Sequence, residues 1–194
     1  MRIIADLDAL IDQYEKLGAP TDAAQPRSDL LASIDQIIAA KPCSYDIKTE
    51  KRKDLCAKST FRDRYEQCKS VAERLVNGGT ANEEKRHMFC QLFAEEQNLR
   101  RSVVLASDPT VRTAKESLLA SLRNHGVCVL SKGSIEDYYP TLCDGSDKPS
   151  KALSACTKVS TPQDARALCA SVNDGQSNER PELELIFEAV FANL

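Results

Sequence analysis

Apolar and polar positions follow two periodicities along this chain, one suited to strands and one to helices. Ile3, Ile4 and Ala5 form a short apolar run that breaks at Asp6, which predicts a brief strand ending at acidic residues. Leu10, Ile11, Tyr14 and Leu17 follow at helical spacing, and Gly18-Ala19-Pro20 closes that helix. A strand feeding directly into a helix is an α/β signal. The unbroken run Gly126-Val127-Cys128-Val129-Leu130 predicts a second strand, covered on both faces.

The stretch from Ser28 to about Arg123 is helical in pattern and mostly polar, with breaks at Lys41-Pro42, Gly78-Gly79 and Asp108-Pro109. Leu30, Leu31, Ile34, Ile37 and Ile38 make one apolar stripe; Val71 and Leu75, then Phe89, Leu92 and Phe93, make others. After the second strand, Ser134 is placed to cap a short helix from Ile135 to Tyr139, stopped by Pro140. Everything beyond reads as helical. Thr161-Pro162 opens a helix running through Leu168 and Val172, and Pro181 opens the last, burying Leu183, Leu185, Ile186, Val190 and Phe191. Asp174 to Glu179 reads as a loop.

Composition narrows the classes without choosing one. With 194 residues and 42% apolar content, the chain can form one domain with a core and an insertion. A net charge of -3 provides no global basic field for a nucleic-acid backbone. Any DNA contact must then use local patches, such as Lys48, Lys51, Arg52 and Lys53, or Lys85, Arg86, Arg100 and Arg101, although a solvated helix face explains such clusters as well. Two aspartates within eight residues of Met1 do not suit a secretory signal. No run approaches the roughly 18 apolar residues of a membrane span, so a cytoplasmic protein with no membrane partner is expected. The eight cysteines never fall two or three residues apart, so neither a zinc knuckle nor a redox pair is read, and they are expected to act as small hydrophobes.

The candidate chemistry lies at the ends of the two strands. Asp6 and Asp8, at i and i+2 at the end of a buried strand, point to the same face while Leu7 points the other way, a spacing that suits a hard divalent cation. Lys132 follows the second strand at a comparable level of the sheet, where ligands of open α/β sheets gather, and a lysine there can offset phosphate charge. Glu136 and Asp137 add carboxylates, or simply favour the N-terminus of their short helix.

Taken together, Arg2-Ile3-Ile4-Ala5-Asp6-Leu7-Asp8-Ala9-Leu10 and Gly126-Val127-Cys128-Val129-Leu130-Ser131-Lys132-Gly133-Ser134-Ile135-Glu136-Asp137-Tyr138-Tyr139-Pro140 resemble the C-terminal TOPRIM nuclease region of OLD (overcoming-lysogenisation-defect) family endonucleases. The resemblance implies a helix-dominated α/β fold with a partial TOPRIM-like, Rossmann-like parallel sheet. The core would comprise 1–20 and 124–194 with a helical C-terminal tail, and 21–123 would be a helical insertion. It implies Mg²⁺ or Mn²⁺ held by Asp6 and Asp8, with Lys132 and Glu136 as catalytic residues in phosphodiester hydrolysis of DNA. Family sites also carry a glutamate on an earlier strand, whereas five residues precede Asp6 here, and no G-x-x-x-x-G-K-[ST] phosphate loop occurs. The chain is therefore expected to be a truncated or separately encoded portion with no ATP site, completed by an ATPase half or another subunit, or assembled as a homo-oligomer through an exposed strand edge.

Two other readings compete. A haloacid-dehalogenase-like phosphatase also places Asp-x-Asp after an N-terminal strand, but Leu10 stands where that family has Thr or Val, and Lys132 and Glu136 lie too close together. A catalytically inactive helical interaction fragment accounts for the dominant helical content.

Overall fold

A computed structural model describes residues 3–41, 53, 55–80, 82–140, 143–145, 147–169, 171–173 and 178–191. Strand β1 (Ile3–Ala5) lies parallel to β2 (Val127–Val129), with Ile3 opposite Val127, Ile4 opposite Cys128 and Ala5 opposite Val129. The pairing continues past both strands, where Leu130 N–H donates to Ala5 O (2.9 Å) and Leu7 N–H to Gly133 O (2.7 Å). Parallel strands need a crossover, and here it runs from Asp6 to Gly126. The fold is thus helix-dominated α/β with a two-stranded parallel sheet.

The chain divides into two compact units, residues 1–34 with 105–194, and residues 35–104. The helical stretch expected to form one insertion over 21–123 is therefore shared between them.

In the first unit, β1 turns through Asp6–Ala9 into α1 (Ala9–Asp12), and a 3-10 turn (Tyr14–Leu17) ends at Gly18 with φ 58°. The expected apolar stripe is present, with Leu10, Ile11 and Leu17 buried, but the helix is broken in two. The 17-residue α2 (Ala24–Ala40) begins earlier than Ser28. Arg27 on it donates to the end carbonyls of α1, Leu10 O (2.6 Å) and Ile11 O (3.0 Å), while its guanidinium lies over the Tyr14 ring. Such contacts satisfy carbonyls that a helix end leaves without partners.

After α2 come α3 (Ser59–Val76), α4 (Glu83–Ser107) and α5 (Arg112–Asn124). Leu118, Leu119 and Leu122 form the buried face of α5, which packs on β2. Each fully buried leucine contributes about 1.5–3 kcal/mol. The remaining elements are α6 (Lys148–Lys158), α7 (Pro162–Leu168), β3 (Ser171–Asn173), β4 (Glu179–Pro181) and α8 (Glu182–Phe191). Ile186 of α8 joins Cys128, Leu130 and Tyr138 in one cluster, so β2 is covered on both faces, as its apolar run predicts. Ile4, on the same face of β1 as Cys128, stays 57% exposed.

One expectation fails in the C-terminal third, which is not wholly helical. The helix begun at Thr161 ends at Leu168, and Val172 pairs instead with Arg180 in the antiparallel β3–β4 sheet. Strands of only three residues, with Val172 buried, are too short for an alternation to reveal them. Pro181 accordingly closes β4 and α8 starts at Glu182.

In the second unit, α3 turns into α4 through Asn77-Gly78-Gly79. Gly78 takes φ 80°, and the N–H groups of Gly78 and Gly79 donate to Leu75 O and Arg74 O, a glycine-dependent way of ending a helix. Asp35 accepts two hydrogen bonds from Arg101 (2.8 and 2.6 Å) and one from Gln97 (3.0 Å), which hold its carboxyl below the usual range. Among the described residues, no helix is long and apolar enough to cross a membrane.

Gly133 is a backbone position in the first unit that tolerates little change. At φ 139°, any Cβ would fall 2.4 Å from Asp137 Oδ2, while that oxygen accepts from Ser134 N–H (2.7 Å) and Ser134 Oγ (3.1 Å). Gly133→Ala is expected to lower stability by about 1–3 kcal/mol. Urea unfolding measures this, and an unchanged midpoint would contradict it.

Candidate functional site

The parallel register places the ends of β1 and β2 at one rim, so the segments following Ala5 and Val129 emerge side by side. Asp6 directly follows β1 and is exposed. Asp8 does not lie on the strand, because β1 stops at Ala5; it occupies the N-cap position of α1 with φ -60° and ψ -24° and is half-buried. Strand alternation is therefore not what brings the two carboxylates near one another. The tight turn does.

Glu136 joins this pair from the other strand's side. It sits in the 3-10 turn Ile135–Tyr138, whose start at Ser134 matches the expected cap position. The Asp6 carboxyl is raised above its ordinary value by partial desolvation first, then by Glu136 and more weakly by Asp8, while Lys148 and the Ile135 N–H pull it down. Because Asp6 is exposed, solvent screens much of this crowding. Of the four site residues read from the sequence, Glu136 and Asp8 thus both act on Asp6.

Lys132 is held elsewhere. Its ammonium donates to Leu168 O at the end of α7 and lies 5.1 Å from the centre of the Tyr138 ring. The cation beside the carboxylates is instead Lys148, whose Nζ stands 2.6 Å from Glu136 Oε1. No linear pattern points to Lys148, which opens α6 twelve residues beyond Glu136.

Sequence reasoning also passed over Glu182, whose side chain is completely buried. Its carboxylate accepts from Ser131 N–H (2.8 Å), Ser131 Oγ (2.8 Å) and the Tyr138 hydroxyl. The same hydroxyl accepts from Lys132 N–H (3.2 Å). Burial first, and then the Glu182 carboxylate, hold the Tyr138 phenol far above its normal range. Lys115 donates to Ser131 O (3.3 Å) and Leu105 O (3.0 Å); burial pushes its ammonium below the usual value, against the pull of Glu116 and Glu182. A glutamate following a proline at a helix start reads as an ordinary response to the helix dipole, so its burial left no mark in the sequence.

Among the described residues, no three carboxylate, imidazole or thiol groups converge to hold a metal ion by themselves. The donors at the rim are nevertheless hard oxygens. Mg²⁺ commonly takes one or two carboxylates and completes its shell with water and substrate phosphate, and Asp6 with Asp8 suits that arrangement. Of the basic residues considered for DNA, Arg101 is bound to Asp35 and Arg100 to Glu96 (3.1 Å). Lys53 and Lys85 are described; Lys48, Lys51, Arg52 and the Arg86 side chain lie outside the described residues.

The Lys148 ammonium first, then the N–H of Glu136 itself and the Ser134 side chain, hold the Glu136 carboxyl down at about 2 against an ordinary 4.5. A carboxyl lowered on folding contributes stability above its unfolded value, so this contribution is present above pH 4.5 and is lost as pH falls toward about 2. Lys148 is 79% exposed, so its removal costs less than about 1 kcal/mol. Lys148→Met is expected to return Glu136 toward its ordinary value and to raise Asp6 further. Carbon-13 titration of the carboxyls reads both, and a Glu136 that remained near 2 in the variant would dismiss Lys148 as the cause.

No protein-family model, curated protein or solved structure matches this chain.

Proposed function

We propose that the unit formed by residues 1–34 and 105–194 is the TOPRIM-like nuclease portion of an OLD-family endonuclease, hydrolysing DNA phosphodiesters with Mg²⁺ or Mn²⁺. The observation that carries this reading is the parallel register of β1 on β2, which sets the Asp6–Asp8 turn and Glu136 at one carboxyl rim of the sheet. Ligands of open α/β sheets collect at that rim, and carboxylates crowded there are stabilised by a cation.

When bound, the divalent ion supplies Lewis acidity and lowers the pKa of the water it holds. Asp6 and Asp8 would hold it through their carboxylate oxygens. Glu136, held low by Lys148, stays ionised at this rim and with Lys132 is assigned to the catalytic step. Lys132 serves the phosphate. Its backbone is anchored while its long stem lets the ammonium exchange the Leu168 carbonyl for a phosphate oxygen. With so few protein oxygens at the rim, a partner carrying the ATPase half would add the remaining acidic ligand.

A second reading, a catalytically inactive interaction fragment, is favoured by one specific observation. Both groups assigned to catalysis, Glu136 and Lys132, have intramolecular partners in Lys148 and Leu168. Nicking of supercoiled plasmid decides between them. Under the nuclease reading, metal-dependent nicking appears with Mg²⁺ or Mn²⁺ and falls to background in Asp8→Ala. No nicking, alone or with any ATPase partner found encoded beside it, favours the interaction fragment.

A further inference from the structure

We infer that Glu182, acting through Ser131 and Tyr138, is a positioning residue that sets where the turn carrying Lys132 and Glu136 stands relative to Asp6 and Asp8; this rests on the metal-site reading above. The turn after β2 has no strand of its own to hold it, since β2 ends at Val129. Glu182 supplies the anchor from the first residue of α8. One carboxylate oxygen accepts the Ser131 N–H, and the other accepts both the Ser131 and the Tyr138 hydroxyls.

From there the constraint passes along bonded contacts. The Tyr138 hydroxyl accepts from Lys132 N–H and so ties the two ends of the turn together across Glu136. Between them, Gly133 O accepts from Leu7 N–H, the residue separating Asp6 from Asp8. The clamp is completely buried at Glu182 and 4% exposed at Tyr138, so water cannot substitute for a lost partner there. The hydrogen bonds of the Glu182 side chain run to Ser131 and Tyr138, which in turn bracket Lys132 and Glu136.

Two variants test the inference in the full chain. Tyr138→Phe keeps the ring against Ile186 and under Lys132 but removes the hydroxyl; Glu182→Gln keeps the shape and removes the charge. Each is first checked for a cooperative melt, and if Glu182→Gln fails to fold, Tyr138→Phe alone decides. Amide hydrogen exchange at Ser131 and Lys132 should then accelerate about tenfold while Cys128 stays protected. Mn²⁺ binding, followed by electron paramagnetic resonance of the free ion with Asp8→Ala as the control, should weaken at least about threefold, as loss of a supporting contact commonly does.

Accelerated exchange with unchanged Mn²⁺ affinity would overturn the positioning role and leave Glu182 a core residue. Unchanged exchange would overturn the clamp itself. A wild-type chain whose Mn²⁺ binding is absent, or survives in Asp8→Ala, would instead sink the metal-site reading and the positioning role with it.

Discussion

A carboxylate taken out of water must recover its solvation from the protein, and the way Glu182 does so organises the first unit. The effective penalty for burying an ion is several kcal/mol even after relaxation, and hydrogen bonds to a charged group return about 1.5–3 kcal/mol each. Three donors meet the Glu182 carboxylate, and the positive end of α8 adds a favourable field. Those donors come from the segment after β2, so satisfying one charge joins α8, β2 and the 3-10 turn. Apolar contact alone, between Ile186 and Cys128 or Leu130, would permit sliding. The directed hydrogen bonds do not.

The parallel pair depends on the same anchoring from its other side. Two three-residue strands make few ladder bonds, yet Leu130 to Ala5 and Leu7 to Gly133 extend the pairing beyond them. Gly133 accepts from Leu7 while holding a backbone conformation that L side chains resist. Acidic residues from both strands are consequently forced together at the rim. Partial desolvation first, and then Glu136, raise the Asp6 carboxyl, while Lys148 holds Glu136 low.

The second unit is organised differently, as a helical hairpin turned by adjacent glycines, with Phe61, Tyr65, Phe89 and Phe93 along one open apolar groove. Three of its basic side chains are matched within the unit among the described residues, Arg101 to Asp35, Arg100 to Glu96 and Arg64 to Glu95. Matched charges leave less field for a phosphate backbone than the count of basic residues suggests.

The sequence by itself determined the local elements that need only neighbouring residues: the apolar runs of β1 and β2, the break at Gly18, the Ser134 and Thr161 caps, and the acidic identity of the rim. These follow from periodicity and from the conformations that glycine, proline and hydroxyl side chains permit. It missed the β3–β4 pairing, because strands of three residues are too short to carry a period. Partnership was decided only by the tertiary structure. It paired Glu136 with Lys148, turned the Lys132 ammonium to Leu168, moved Asp8 off the strand, and buried Glu182 against Ser131 and Tyr138. Each of these joins residues distant in sequence or depends on where a strand stops, and a charge's partner is set by distance in space, which no spacing along the chain encodes.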